Sequence, residues 1–209
     1  MPAVDLRLIV ITDKLMAAPR DVFDVVRQCL QAGAPAVQLR DKHASARELL
    51  GQAQVLRDIT REYHALLFVN DRLDVALAAR ADGVHLGPDD VPVAAARAAL
   101  PEEFLIGTSV DDPAAAKIAQ RAGASYIGCG AVFGTQSKAE AANEAIGVEQ
   151  LQRVVDAVTI PVVGIGGITP QNVGSIAAAG AAGAAVISAV MRSENVAQTV
   201  RALLQPFKP

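Results

Sequence analysis

Eight short apolar runs, each followed by a segment with helical spacing, succeed one another along the 209 residues of the chain. No other feature narrows the fold as far. Parallel strands joined by helices need partners on both edges and a cover on both faces, so they read as unbroken apolar runs. The runs cover residues 6–12, 36–40, 65–70, 83–86, 104–109, 126–132, 162–165 and 184–189. Helices are predicted over 22–32, from 45 to 63, in a short segment ending at 79, and over 93–100, 112–122, 148–158, 170–179 and 195–204. In the first of these, Val22, Val25, Val26, Cys29 and Leu30 share one face. In the second, Ser45 and Glu48 have the spacing of a capping box. Eight consecutive strand–helix pairs predict an α/β fold, a (β/α)8 TIM barrel, as a single domain over 1–209. A doubly wound open sheet is the alternative. No charge block or Ser/Gly-rich linker divides the chain.

Composition removes several classes of function. Hydrophobic residues make up 52% and charged residues 20%, which argues against disorder. The net charge is −3, aromatics are 3% and there is no Trp, so neither a basic footprint nor a base-stacking platform is expected. The expected partners are small molecules, not nucleic acid and not a membrane; a homo-oligomer is left open. Residues 157–191 carry no charge, but a membrane span needs about 20 unbroken apolar residues. Pro161, Pro170, Gln171, Asn172 and six glycines break this stretch, so two buried strands around a small helix are expected. Cys29 and Cys129 form no CxxC pair and read as buried, reduced thiols. Without a basic start and a long apolar run at the N-terminus, a cytoplasmic protein is expected.

In such a barrel the chemistry sits where strand ends meet the following loops. The second run ends in Gln38, Arg40 and Lys42, alternate positions that a strand turns to one side. A salt-bridged rim is one reading; an anionic substrate suits two cations and an amide better. The third run ends in Asn70 and Asp71, and the fourth leads to Asp90. Two carboxylates on adjacent strand ends repel unless a cation lies between them. Mg²⁺ takes one or two carboxylates together with substrate phosphates. Capping of the next helix is the bland alternative for each aspartate. Thr108 and Ser109 end the fifth run and can donate hydrogen bonds. Small hydroxyl residues and Lys138 follow the sixth run at 134–138, a phosphate-holding composition. Gly166 and Gly167, ahead of a helix start expected at Pro170, and Ser188 after the eighth run would form a neutral backbone cup. One strongly cationic anion site and one neutral cup suit a diphosphate and a monophosphate, and so displacement of pyrophosphate. His85 reads as a satisfied core histidine, and His64 as a surface one. No Ser-His-Asp set and no partnered Cys nucleophile is present.

These strand ends carry a resemblance. VITD at 10–13, QLRDK at 38–42, VNDRLDVALAARADGVHLG at 69–87, Asp90, IGTS at 106–109, TQSK at 135–138, IPVVGIGGIT at 160–169 and VISAV at 186–190 occur in order over nearly the full length. The chain resembles the thiamine phosphate synthase family. The resemblance implies a transferase of thiamine biosynthesis that joins hydroxymethylpyrimidine diphosphate to a thiazole phosphate and releases pyrophosphate. It places the pyrimidine substrate on the segment Gln38, Leu39, Arg40, Asp41 and Lys42, with Asn70, Ser109 and Lys138. It places Mg²⁺ on Asp71 and Asp90. It places the thiazole phosphate on Thr135, Gln136 and Ser137, Gly167, Ile187 and Ser188. Arg40, Lys42, Ser109 and Lys138 are the implied catalytic residues. The implied mechanism is dissociative: pyrophosphate leaves, and the thiazole nitrogen captures a pyrimidine methyl cation. Such a cation needs shelter from water, and the polar segment 134–147 is the candidate lid.

The chain departs from the family pattern at Ala131, where a Pro is usual and a looser strand end is expected, at Ser137, where a Thr is usual, and at Pro88, where Gln is common. A related thiazole tautomerase and a non-catalytic phosphate-binding paralogue are the alternatives; neither needs the full diphosphate site. An isomerase or aldolase barrel would need a base or a Schiff-base Lys on a strand, and the runs offer none.

Overall fold

The computed structural model describes residues 4–134 and 145–207. Eight parallel strands close on themselves in sequence order. They are β1 (Leu8–Ile11), β2 (Ala36–Leu39), β3 (Leu66–Asn70), β4 (Gly83–Leu86), β5 (Leu105–Ser109), β6 (Tyr126–Cys129), β7 (Val162–Ile165) and β8 (Gly183–Val186). Closure comes from β1 against β8, with Leu8 opposite Ala184 and Val10 opposite Val186. The open-sheet alternative is thereby excluded.

Helices cover the outside: α1 (Lys14–Ala17), α2 (Val22–Gln31), α3 (Ala46–Glu62), α4 (Leu73–Ala78), α5 (Val93–Ala99), α6 (Pro113–Arg121), α7 (Gly147–Ala157), α8 (Val173–Ala178), α9 (Ser188–Met191) and α10 (Val196–Leu204). Their starts follow local chemistry. The Asp21 carboxylate takes the N–H groups of Phe23 and Asp24, and α2 then buries Val25, Val26, Cys29 and Leu30. The capping box of Ser45 and Glu48 forms at the head of α3. Asp112 caps α6, and Pro113 fills its first turn, where no backbone donor is missed.

The barrel interior is filled in layers. Phe68 and Tyr126 meet edge-on across it, with ring centroids 5.3 Å apart. Tyr126 fits because Gly107 stands opposite it; a Cβ at Gly107 would lie 2.2 Å from its ring. Above these rings the interior opens. Cys29 and Cys129 are free and buried, and burial pushes both thiols up to about 12. Among the described residues no helix is long and apolar enough to cross a membrane.

Several boundaries differ from the sequence expectation. The run to residue 189 is a strand only to Val186; Ser188 and Ala189 belong to α9, because an apolar run alone does not separate strand from helix. The sixth strand stops at Cys129, where Gly130 packs so close to the Ile165 carbonyl that a Cβ would lie 2.0 Å from it. The Gly130–Ala131 peptide is cis. The looser end expected at Ala131 is not found: Val132 N–H donates to Ile165 O at 2.8 Å and Ile146 N–H to Ala131 O at 2.9 Å. Helix α8 starts at Val173 rather than Pro170, because the Asn172 side chain takes the Thr169 N–H and holds residues 169–172 in a turn. Helix α1 was not expected; Asp13 caps it through the N–H groups of Leu15 and Met16.

Candidate active site

A cavity of about 300 Å³ opens at the C-terminal ends of the strands. Its walls differ in chemistry. Ile9 and Ile11 of β1, Val163 and Ile165 of β7, and Ala185 and Ile187 at β8 make one side apolar. Gln38, Arg40, Lys42, Asn70, Asp71, His85, Asp90, Ser109 and Tyr126 make the other side polar. The alternation of β2 therefore turns Gln38, Arg40 and Lys42 inward together, as expected.

Local backbone bonds hold these side chains in place. The Arg40 N–H donates to Thr12 Oγ1 at 2.9 Å, and the Thr12 hydroxyl donates back to the Arg40 carbonyl at 3.4 Å. This exchange ties β1 to the end of β2 and fixes where the Arg40 side chain starts. Arg40 is half-buried, whereas Lys42 is exposed at the rim. Neither forms a close ion pair among the described residues. The rim ion pair is one residue away, between Lys14 and Asp41 at 2.8 Å.

Asp71 follows β3 in a left-handed conformation, φ +64°, which aspartate tolerates better than most residues. Its N–H reaches the His85 carbonyl at 2.8 Å and extends the β3–β4 ladder by one rung. Asp90 folds back, and its Oδ2 accepts the Gly87 N–H at 2.6 Å. Neither aspartate caps a helix: the cap positions of α4 and α5 are Arg72 and Pro92, without side-chain bonds. The two carboxyls instead face each other. Burial first, then the hydrogen bond and charge of Asp90, raise Asp71 to about 6, against the pull of Lys42 and Arg40. Two facing carboxylates beside two cations are an oxygen donor set that fits a hard divalent ion. Two carboxylates do not fill such an ion's coordination sphere, and among the described residues no third acidic, His or Cys ligand joins them. Water and substrate oxygens would have to complete it.

The other expected site residues separate into groups. Ile187 lines the cavity, and Asn70 and Ser109 stand at the ends of β3 and β5 within it. Gly167, φ +64°, and Ser188, the first residue of α9, lie on the loops after β7 and β8, outside the lining of this cavity. A Cβ at Gly167 would meet the Gly134 carbonyl at 2.4 Å, so this loop packs directly on the loop after β6. Two residues implied for substrate binding do not line this cavity. Leu39 points outward, beside Val22, Phe23 and Leu56, because its neighbours Gln38 and Arg40 take the inward positions. Asp41 is occupied by Lys14, by Gln52 Nε2 at 3.1 Å and by the His43 N–H at 3.2 Å. Thr135, Gln136, Ser137 and Lys138, and most of the candidate lid 134–147, lie outside the described residues.

Tyr126 was not anticipated in the polar wall, and His85, near the mouth in the sequence, was expected as a core residue. His85 is hydrogen-bonded through both ring nitrogens, as a core histidine would be, but its ring lines the cavity. Tyr126, at the start of β6, forms the floor beside it. The signal for both was Gly107 on the strand between them, whose missing side chain leaves room for a large one opposite.

Fold and mouth together define a (β/α)8 barrel enzyme whose pocket is cationic and acidic on one side and apolar on the other. Residues 8–190 match the family described as thiamine monophosphate synthase, and the chain belongs to that family. Relatives named thiamine-phosphate synthase include one from Methanospirillum hungatei, 44% identical over 95% of this chain and 96% of its own. One from Moorella thermoacetica is 45% identical over 97% of this chain and 95% of its own. A solved structure of a thiamine phosphate pyrophosphorylase from Pyrococcus furiosus covers 97% of this chain and 95% of its own, at 44% identity and a TM-score of 0.87. A 3-hexulose-6-phosphate synthase from Salmonella typhimurium, at 18% identity and a TM-score of 0.72, shares the fold.

Proposed function

We propose that the chain joins a pyrimidine carried on a diphosphate to a thiazole phosphate, forming thiamine phosphate and releasing pyrophosphate. The observation that carries this reading is the group of Arg40, Lys42, Asp71 and Asp90 at one end of a pocket whose far wall is apolar. In the reaction the bond between the pyrimidine methylene carbon and the diphosphate oxygen breaks, with its electrons leaving on pyrophosphate. A new bond then forms from the thiazole nitrogen lone pair to that carbon. No base is consumed in either step. The protein must stabilise the leaving charge and keep the two rings aligned without water.

Arg40 and Lys42 have no close carboxylate partner among the described residues, and they would take the negative charge that grows on the diphosphate. Asp71 and Asp90 would hold Mg²⁺, which when bound adds positive charge at the same oxygens. Gln38, Asn70 and Ser109 would orient the pyrimidine ring. By the family resemblance, Lys138 would bind the diphosphate, and Thr135 and Ser137 the thiazole phosphate. The neutral cup at Gly167 and Ser188 would take the thiazole phosphate. Two free, buried thiols suit a reducing compartment, and we assign the chain to the cytoplasm. A tautomerase would not need the cationic and acidic mouth, so the synthase reading is preferred.

Purified protein given both substrates and Mg²⁺ should form thiamine phosphate and equimolar pyrophosphate, and a chelator should suppress both. Folded protein that makes neither product under these conditions would remove the proposal.

A further inference from the structure

The barrel closes between β1 and β8, and one side chain bridges the loops that follow these two strands. Arg20 stands half-buried between α1 and α2, with its N–H on the Ala17 carbonyl at 3.0 Å. Its guanidinium reaches the far end of α9. Nη1 donates to the Ser193 carbonyl at 2.7 Å, and Nη2 donates to the Met191 carbonyl. These partners lie 173 and 171 residues further along the chain. Helices α1 and α9 both follow the C-terminal ends of their strands, so the bridge lies on the cavity side of the barrel. Arg20 itself is not among the residues that line the cavity.

What the bridge holds is a helix of four residues. A single turn has too few internal bonds to sustain itself and must be fixed from outside. The last carbonyls of a helix lack donors within it, and a cation is favourable there. The planar fork of an arginine serves two neighbouring carbonyls at once, which a lysine cannot. The hold is passed to the cavity within the same turn. Met191, whose carbonyl Arg20 takes, gives its N–H to the Ile187 carbonyl at 2.9 Å, and the Arg192 N–H donates to the Ser188 carbonyl at 3.1 Å. Ile187 lines the cavity, and Ser188 is the first residue of α9. At 1.5 Å of rise per residue, the two ends of α9 are only about 6 Å apart. Arg20 thus fixes the backbone of residues 187 and 188 from behind.

We propose that Arg20 is a positioning residue for the thiazole phosphate: by clamping the end of α9 it sets the place of Ile187 and Ser188 in the cup that receives the phosphate. The inference rests on the synthase reading above, in which Gly167 and Ser188 take that phosphate. The sign of the kinetic effect follows. The phosphate of the thiazole is remote from the ring nitrogen that forms the new bond, so its binding is the same in bound substrate and in the transition state. Losing part of it raises KM for the thiazole phosphate and leaves kcat in place. The pyrimidine diphosphate is assigned to the opposite wall, at Gln38, Arg40, Lys42 and Asn70, and its KM stays as it was. A residue that only stabilised the fold would lower the melting temperature and move neither KM of the folded protein.

Two variants test this. Arg20→Ala should raise KM for the thiazole phosphate about tenfold, the size of one hydrogen bond, with kcat within about threefold of the original and KM for the pyrimidine diphosphate unchanged. Arg20→Lys keeps the charge but reaches one carbonyl at a time, and should raise the same KM by a smaller factor. Should the alanine variant not fold, the lysine variant decides alone, and an unchanged KM for the thiazole phosphate overturns the proposal. A lower melting temperature with both KM values unchanged, an equal rise in both, or a fall in kcat at unchanged KM overturns it as well. Absence of product from the unsubstituted protein would instead sink the synthase reading. Titration calorimetry with inorganic phosphate would then still decide whether Arg20 shapes an anion cup: weaker binding in Arg20→Ala than in the original protein supports it, and equal binding, or none in either, overturns it.

Discussion

Arg40 shows how a single residue is prepared for charge stabilisation. Its backbone is held at both its N–H and its carbonyl by Thr12, and its guanidinium has no close carboxylate partner among the described residues. A cation kept half-buried and unpaired is useful only when an anion arrives. Arg40→Ala should therefore lower kcat by at least about a hundredfold, typical of losing one electrostatic stabiliser, while circular dichroism and melting temperature stay near those of the original protein. Near-normal turnover would remove Arg40 from the mechanism. Much of the mouth was legible at this scale. Gln38, Arg40 and Lys42 alternate within five residues, and period 2 then leaves them no choice of side. His85 was legible only in part. A histidine in an apolar strand reads as core until the partner strands are known, and Tyr126 and Ser109, which it meets, are 41 and 24 residues away.

At the scale of elements, the segment that carries the cations is anchored by its own odd residue. Asp41 points away from the cavity and joins α1, through Lys14, to α3, through Gln52. Burial alone would raise its carboxyl; the bonds from Lys14, Gln52 and the His43 N–H outweigh that and hold it at about 2. A carboxyl with a folded-state value below its unfolded value of about 3.9 adds stability above the unfolded value and loses it as pH falls through the folded one. The stability difference between the original protein and Asp41→Asn should thus be full at pH 6 and disappear on acidification from about pH 4 to about pH 2 in urea titrations. A difference that stays constant across that window would show that the Asp41 contacts depend on shape rather than charge. Strands and long helices were legible because their patterns are long enough to register. Helices α1 and α9 have four residues each, barely one turn, and no period can be read from one turn. The end of β6 was hidden for another reason: what stops the strand is the Ile165 carbonyl of β7, a contact absent from local sequence.

The whole molecule separates its two tasks along the barrel axis. Among the described residues, the C-terminal ends of the strands collect two cations without a close carboxylate partner and two carboxylates that face each other, an arrangement that costs stability. The opposite end is held by a paired charge, Arg57 with Asp82. Asp82, just before β4, takes Arg57 of α3 at 2.7 Å and the Leu67 N–H of β3 at 2.7 Å. Arg57, with its side chain 8% exposed, also donates to Thr60 Oγ1 and to the Ala65 carbonyl. One ion pair thus fastens a helix to two strands where no substrate reaches. Removing Asp82, whose side chain is 33% exposed, leaves the nearly buried Arg57 without its charge partner, at a cost of about 1–3 kcal/mol. Asp82→Ala should therefore lower unfolding free energy by about that amount in urea, while kcat and KM of the folded fraction stay unchanged. The same substitution type at the other end, Asp71→Ala, should do the reverse, impairing turnover while removing a carboxylate that its neighbour repels. If Asp82→Ala lowered kcat as strongly as it lowered stability, the two ends of the barrel would be coupled, and the division of labour proposed for this fold would fail.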